Sequence, residues 1–151
     1  MSIQKQLALP ELAKMGDLAL LAARVATGVF LVHGVWDNVT DPARMAEFVS
    51  FMRASGFSAP GFWGPFAIYL QLAAGLMLIA GLLTRWAGLV IVGTFVVALW
   101  VVHWEQSLRE WWPALSLVLL GAVFATVDAG RWALDRLLDR SAGAKLAQHE
   151  R

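Results

Sequence analysis

Residues 86–104, WAGLVIVGTFVVALWVVHW, run without a single Asp, Glu, Lys or Arg. Three other stretches behave in nearly the same way. Residues 62–83, FWGPFAIYLQLAAGLMLIAGLL, hold only Tyr69 and Gln71 as strongly polar groups. Residues 111–127, WWPALSLVLLGAVFATV, are free of charge, and residues 18–36 carry one charged side chain, Arg24. A helix needs about 20 apolar residues to cross the hydrocarbon core of a bilayer. Only helices and closed barrels can do so with every backbone group satisfied. Four such segments in 151 residues, 59% of them apolar and 15% charged, predict an all-α, integral membrane four-helix bundle.

The connections refine this picture. The first is the longest, about residues 37–61, and within it TDPARMAEFVSFMRASG reads as a helix. Asp41 can cap it, Pro42 suits its first turn and Gly56 can stop it. Met45, Phe48, Val49 and Met52 fall on one face. The expectation is an extra amphipathic helix in the first outward-facing loop, on the membrane or over the bundle mouth. Pro10 marks a second short surface helix before the first span. The other two connections are short, which makes successive spans antiparallel neighbours. Spans are expected near 17–36, 62–83, 86–104 and 111–132. The organisation is then a cytoplasmic amino-terminal segment, 1–16, a four-span domain, 17–135, and a polar cytoplasmic tail, 136–151.

Orientation follows from where the basic residues lie. Lys5, Lys14, Arg85, Arg131, Arg136, Arg140, Lys145 and Arg151 share one side, against Arg44, Arg53 and Arg109 on the other. This places both termini in the cytoplasm of a multi-pass protein of the cell (inner) membrane. A cleaved signal peptide is not expected, because the first apolar run begins only at Leu18 and is interrupted by Arg24. The net charge of +1 gives no reason to expect nucleic acid as a partner. The lipid bilayer is the expected partner, and a homo-oligomer is compatible with the sequence. With no cysteine, disulfides, thiol nucleophiles and iron–sulfur clusters are excluded. Glycines 28, 34, 75, 81, 88, 93 and 121 read as points of close helix approach.

A few polar residues inside or at the ends of the spans are the candidates for chemistry. His33 and Asp37 are one turn apart on the same helix face. His103 is expected at a similar outer level, with Trp36, Trp104 and Glu105 around it. A carboxylate one turn from an imidazole can orient it and make it more basic. The alternative is an ordinary interfacial exit, each side chain reaching water. The set His33, Asp37, His103, Trp36 and Trp104 is taken as a candidate ligand-binding group, the polar floor of an outward-facing pocket roofed by the helix 42–54. No catalytic residue can be named, and two histidines without cysteine do not suggest a metal site. Arg24, Gln71 and Asp128 are expected to be buried structural polar groups, Arg24 pairing with Asp128 and Gln71 bonding between helices. Arg24 and His33 are nine residues apart, about 180° around a helix, so they cannot line one narrow pocket.

Four segments in this order carry a family resemblance: RVATGVFLVHG at 24–34, GFSAPGFWGP at 56–65, QLAAGLMLIAGLLTRWAGL at 71–89 and AGRWALD at 129–135. Together they resemble the DoxX family of small four-helix membrane proteins. The resemblance implies a four-helix bundle in the cell membrane. One branch of that family is similar to the membrane subunit of a thiosulfate:quinone oxidoreductase, and others are associated with respiratory or redox-stress systems. The family often has an acidic residue where this chain has Gln71, and Lys where this chain has Asp37. The functional expectation is a membrane subunit of a redox, quinone-linked system. No cofactor is encoded, a quinone is the candidate, and a soluble or membrane redox partner supplies electrons. The alternative is a non-catalytic scaffold or assembly factor. A transporter is the weakest reading, because the spans lack a polar stripe and an inverted repeat.

Overall fold

The computed structural model describes residues 12, 14–102, 104, 106–127, 129–136 and 138. Among the described residues, five helices of more than three turns follow one another: α1 (Gly16–Thr40), α2 (Pro42–Ala54), α3 (Pro60–Ala80), α4 (Thr84–Val101) and α5 (Leu108–Thr126). There is no strand among the described residues. All but α2 are long and apolar enough to cross a membrane. The start of α1, the α3–α4 turn and the end of α5 meet at one face, called the terminal face below. The opposite face, which carries α2, is the loop face.

α1 continues four residues beyond the expected end of the first span. Nothing in WDNVT breaks a helix; the break comes at Asp41, whose extended backbone (φ −122°, ψ 113°) is what a following proline imposes. The same Asp41 caps α2, its carboxylate accepting the Ala43 N–H at 2.8 Å. Gly56, at φ +81°, follows the end of α2, where the sequence predicts the helix to stop. α2 sits on the start of α3, where Gly64 leaves room: a methyl group there would come within 2.9 Å of Val49 Cγ2. The surface helix expected from Pro10 falls largely outside the described residues.

The bundle is two tight helix pairs. α1 crosses α3 where Gly28 faces Gly75, and α4 crosses α5 where Gly88 faces Gly121. In each pair a Cβ on either glycine would lie 2.6–2.9 Å from the partner's carbonyl oxygen. Without a hydrophobic driving force between helices in lipid, such close backbone packing is what holds spans together. Leu31, Ala74, Leu78, Ala87, Ile91, Leu117 and Phe124 join the two pairs into one core. Gly93 departs from the packing expectation, since no atom lies within 4 Å of where its Cβ would be. Gly34 meets only the Gln71 amide, at 3.9 Å.

The fourth span also ends earlier than 132. α5 stops at Thr126, and residues 129–135 fold back beneath the bundle. Gly130 turns the chain at φ +84°, against Leu20 and Asp17 of α1. The carbonyls of Ala129 and Trp132 are taken by Arg24, which a continuing helix would have spent on itself.

Candidate functional site

On the loop face, α2, α3 and α4 enclose a partly open cavity of about 900 Å³. α2 contributes Phe48, Phe51 and Met52, and the connection after it Phe57 and Ser58. α3 contributes Trp63, Phe66, Ala67 and Leu70, and α4 Val90, Gly93, Thr94, Val97 and Ala98, with Val102 just beyond. No wall residue is charged, and Ser58 and Thr94 supply the only hydroxyls. The rings around Trp63 brace one another: Phe62 and Phe66 meet it edge-on at 5.1 and 5.7 Å, an arrangement that aromatic quadrupoles favour. α3 and α4 belong to different helix pairs, and Gly93, exposed and with no atom within 4 Å of where its Cβ would be, leaves the α4 wall without a side chain at that point. An apolar hollow with one or two polar groups suits a small lipophilic molecule.

α2 borders this loop-face cavity, but the described members of the polar set do not line it. His33 is exposed on the side of α1 opposite the core stripe of Arg24, Thr27, Gly28, Leu31 and Val35. Asp37 is exposed and engaged with α2: its carboxylate is 3.6 Å from Arg44. The Asn38 amide donates to the Arg44 carbonyl at 3.1 Å. Arg44 also reaches Glu47 at 2.7 Å. These contacts fasten α2 to the end of α1. Trp36 is exposed, and Trp104 is exposed with its ring 4.7 Å from that of Trp100. His103 and Glu105 lie outside the described residues. Sequence reasoning missed the cavity wall. Its signals were the aromatic cluster FWGPF and a glycine set among β-branched residues in VIVGTFVV.

The terminal face is built differently. Arg24 is 1% exposed. Its Nη1 donates to the Ala129 carbonyl at 2.6 Å and its Nη2 to that of Trp132 at 3.2 Å. Asp135 supplies the counter-charge to Arg24. The Asp135 carboxylate also accepts the N–H groups of Leu83 and Thr84 at 2.6 and 3.0 Å, capping α4 and holding Leu83 in its left-handed conformation (φ +49°). Gly81, at φ +70°, fits between Arg24 and Ala133 with no room for a methyl group. Both terminal nitrogens of Arg24 are therefore bonded to backbone carbonyls, while its buried Nε has no partner among the described residues; the expected partner Asp128 lies outside the described residues. Gln71 is half-buried, its amide against α1 at Gly34.

Four membrane-crossing helices, reciprocal glycine crossings and a buried arginine clamp define a small polytopic membrane protein of the four-helix class. The sequence model of the DoxX family matches residues 19–104, and the chain belongs to that family. It is 26% identical over 131 residues to the inner membrane protein YqjF of Escherichia coli (strain K12), a match covering 84% of this chain and 97% of that protein. No solved structure matches the chain. The AGRWALD segment that closes the terminal face lies beyond the stretch that the family model matches.

Proposed function

We propose that this is an inner-membrane subunit of a quinone-linked redox system, with both termini cytoplasmic and the cavity receiving the lipid-soluble ring. The observation that carries the reading is the cavity: about 900 Å³ of apolar, aromatic-walled, uncharged space on the loop face. A neutral flat ring gains from burial against aromatic faces and needs few hydrogen bonds. With no cysteine to hold a cluster, the chain would depend on a partner for electrons. Its relation to an inner membrane protein and its basic residues on the terminal face support the location and the orientation.

The test is a titration of purified protein with a short-chain benzoquinone, read by tryptophan fluorescence and thermal shift. Saturable quenching and a raised Tm are expected. Two variants then place the ring. Loss of the effect in Trp63→Leu puts it in the cavity. Loss in His33→Ala puts it beside α1, at the polar level marked by His33, Asp37, Trp36, His103 and Trp104. No response in the unmodified chain defeats the reading. The alternative is a non-catalytic scaffold or assembly role for a partner complex. That role predicts co-purification with a partner complex without any quinone response.

A further inference from the structure

The geometry points to Gly93 and Thr94 as the seat of the head group of a bound molecule, one that joins a neutral hydrogen-bond-accepting head to an apolar body. This rests on the proposed use of the cavity. Two neighbouring residues of α4 carry the argument. Gly93 is a mid-span glycine that touches nothing: no atom lies within 4 Å of where its Cβ would be. Gly28, Gly75, Gly88 and Gly121 are all consumed by helix contacts under 3 Å. Glycine is among the poorest helix formers, so at Gly93 the gain lies in the space itself, which belongs to the cavity.

Thr94 borders the same space, about 10 Å along α4 from its loop-side end at 1.5 Å per residue. Three other helical hydroxyls are bonded to carbonyls of their own helix: Thr40 to Trp36 at 2.9 Å, Ser116 to Pro113 at 2.8 Å, Thr126 to Ala122 at 2.7 Å. Thr84 of α4 is also without a partner among the described residues, but it is buried at the terminal end and lines no part of the cavity. The Thr94 hydroxyl has no partner among the described residues. A hydroxyl in an apolar wall gains by donating to an acceptor that enters beside it. Across the cavity stand Trp63 and Phe66 of α3, whose rings pack well against a flat head. The absence of charge from the wall excludes an ionised head such as a phosphate or carboxylate, whose desolvation would go uncompensated.

The experiment uses the full chain in lipid nanodiscs, with decyl-benzoquinone as the probe and tryptophan quenching as the readout. Gly93→Leu should abolish saturable quenching while Tm stays at or above that of the unmodified chain, because the substitution fills empty space. Thr94→Val should weaken binding about tenfold, the worth of one hydrogen bond. Thr94→Ser should restore it, and Thr126→Val should leave it unchanged. Gly93→Ala gives a graded loss if Leu impairs insertion. Undiminished binding in Gly93→Ala and Thr94→Val overturns the seat and leaves the proposed function standing. No saturable quenching in the unmodified chain removes both. A third arm uses brominated phosphatidylcholine. If it quenches Trp63 and the quinone cannot displace that signal, the cavity is a lipid groove and the inference fails.

Discussion

The two faces of the bundle use glycine in opposite ways. At the terminal face, Gly81 brings three segments together, with the Arg24 guanidinium and the Ala133 backbone each within 3 Å of where its Cβ would be. At the loop face, Gly93 lets two helices leave a hollow between them. One end is closed by hydrogen bonds from a buried charge, the other is kept open by a missing side chain. Small residues in a membrane helix therefore do not all mean close packing. Neighbours decide whether a glycine is a contact or a vacancy.

Substitutions can break this contrast, and the largest effect is expected at Arg24. Arg24→Leu removes the hydrogen bonds to the Ala129 and Trp132 carbonyls and the positive charge facing Asp135, a loss of about 3–5 kcal/mol. Chemical unfolding in detergent would measure it, and a loss below 1 kcal/mol would mean that the clamp does not hold the terminal face. Gly81→Ala should cost about 2–3 kcal/mol by overpacking against Arg24 at a left-handed backbone position. Asp135→Ala should cost about 1–2 kcal/mol, the usual price of a helix cap, and should raise amide exchange at Leu83 and Thr84 specifically. Gly93→Leu closes the series with a change between zero and a gain of about 1 kcal/mol, since it adds helix propensity and meets open space. Destabilisation there as large as at Gly81 would abolish the distinction between the two faces.

Much of the bundle is legible in the sequence because its physics is local. Charge-free runs name the spans, Asp41-Pro42 names the break between α1 and α2, and the nine-residue separation of Arg24 and His33 puts them on opposite sides of α1. The end of α5 is not legible from hydropathy, because the chain beyond Thr126 stays apolar while its backbone leaves the helix to meet Arg24. The cavity is hidden for another reason. A void is set by the spacing of two helices that belong to different pairs, and Gly93 in sequence looks like Gly88. Polar residues draw attention to His33, Asp37 and Trp36, yet the hollow on the loop face is lined by aromatic and aliphatic side chains with two hydroxyls.

The arginine clamp also sets a timetable for biosynthesis. The carbonyls that receive Arg24 lie 105 and 108 residues further along the chain. At a synthesis rate of about 5–20 residues per second, the first span enters the membrane roughly 5–20 s before those carbonyls exist. During that interval the guanidinium must reach back to the membrane surface along its own helix, as long basic side chains near a helix end do. Its position near the start of α1 makes this feasible. Residues 129–132, made after all four spans, then draw the charge inward, so the terminal face of the newborn bundle closes only once they arrive.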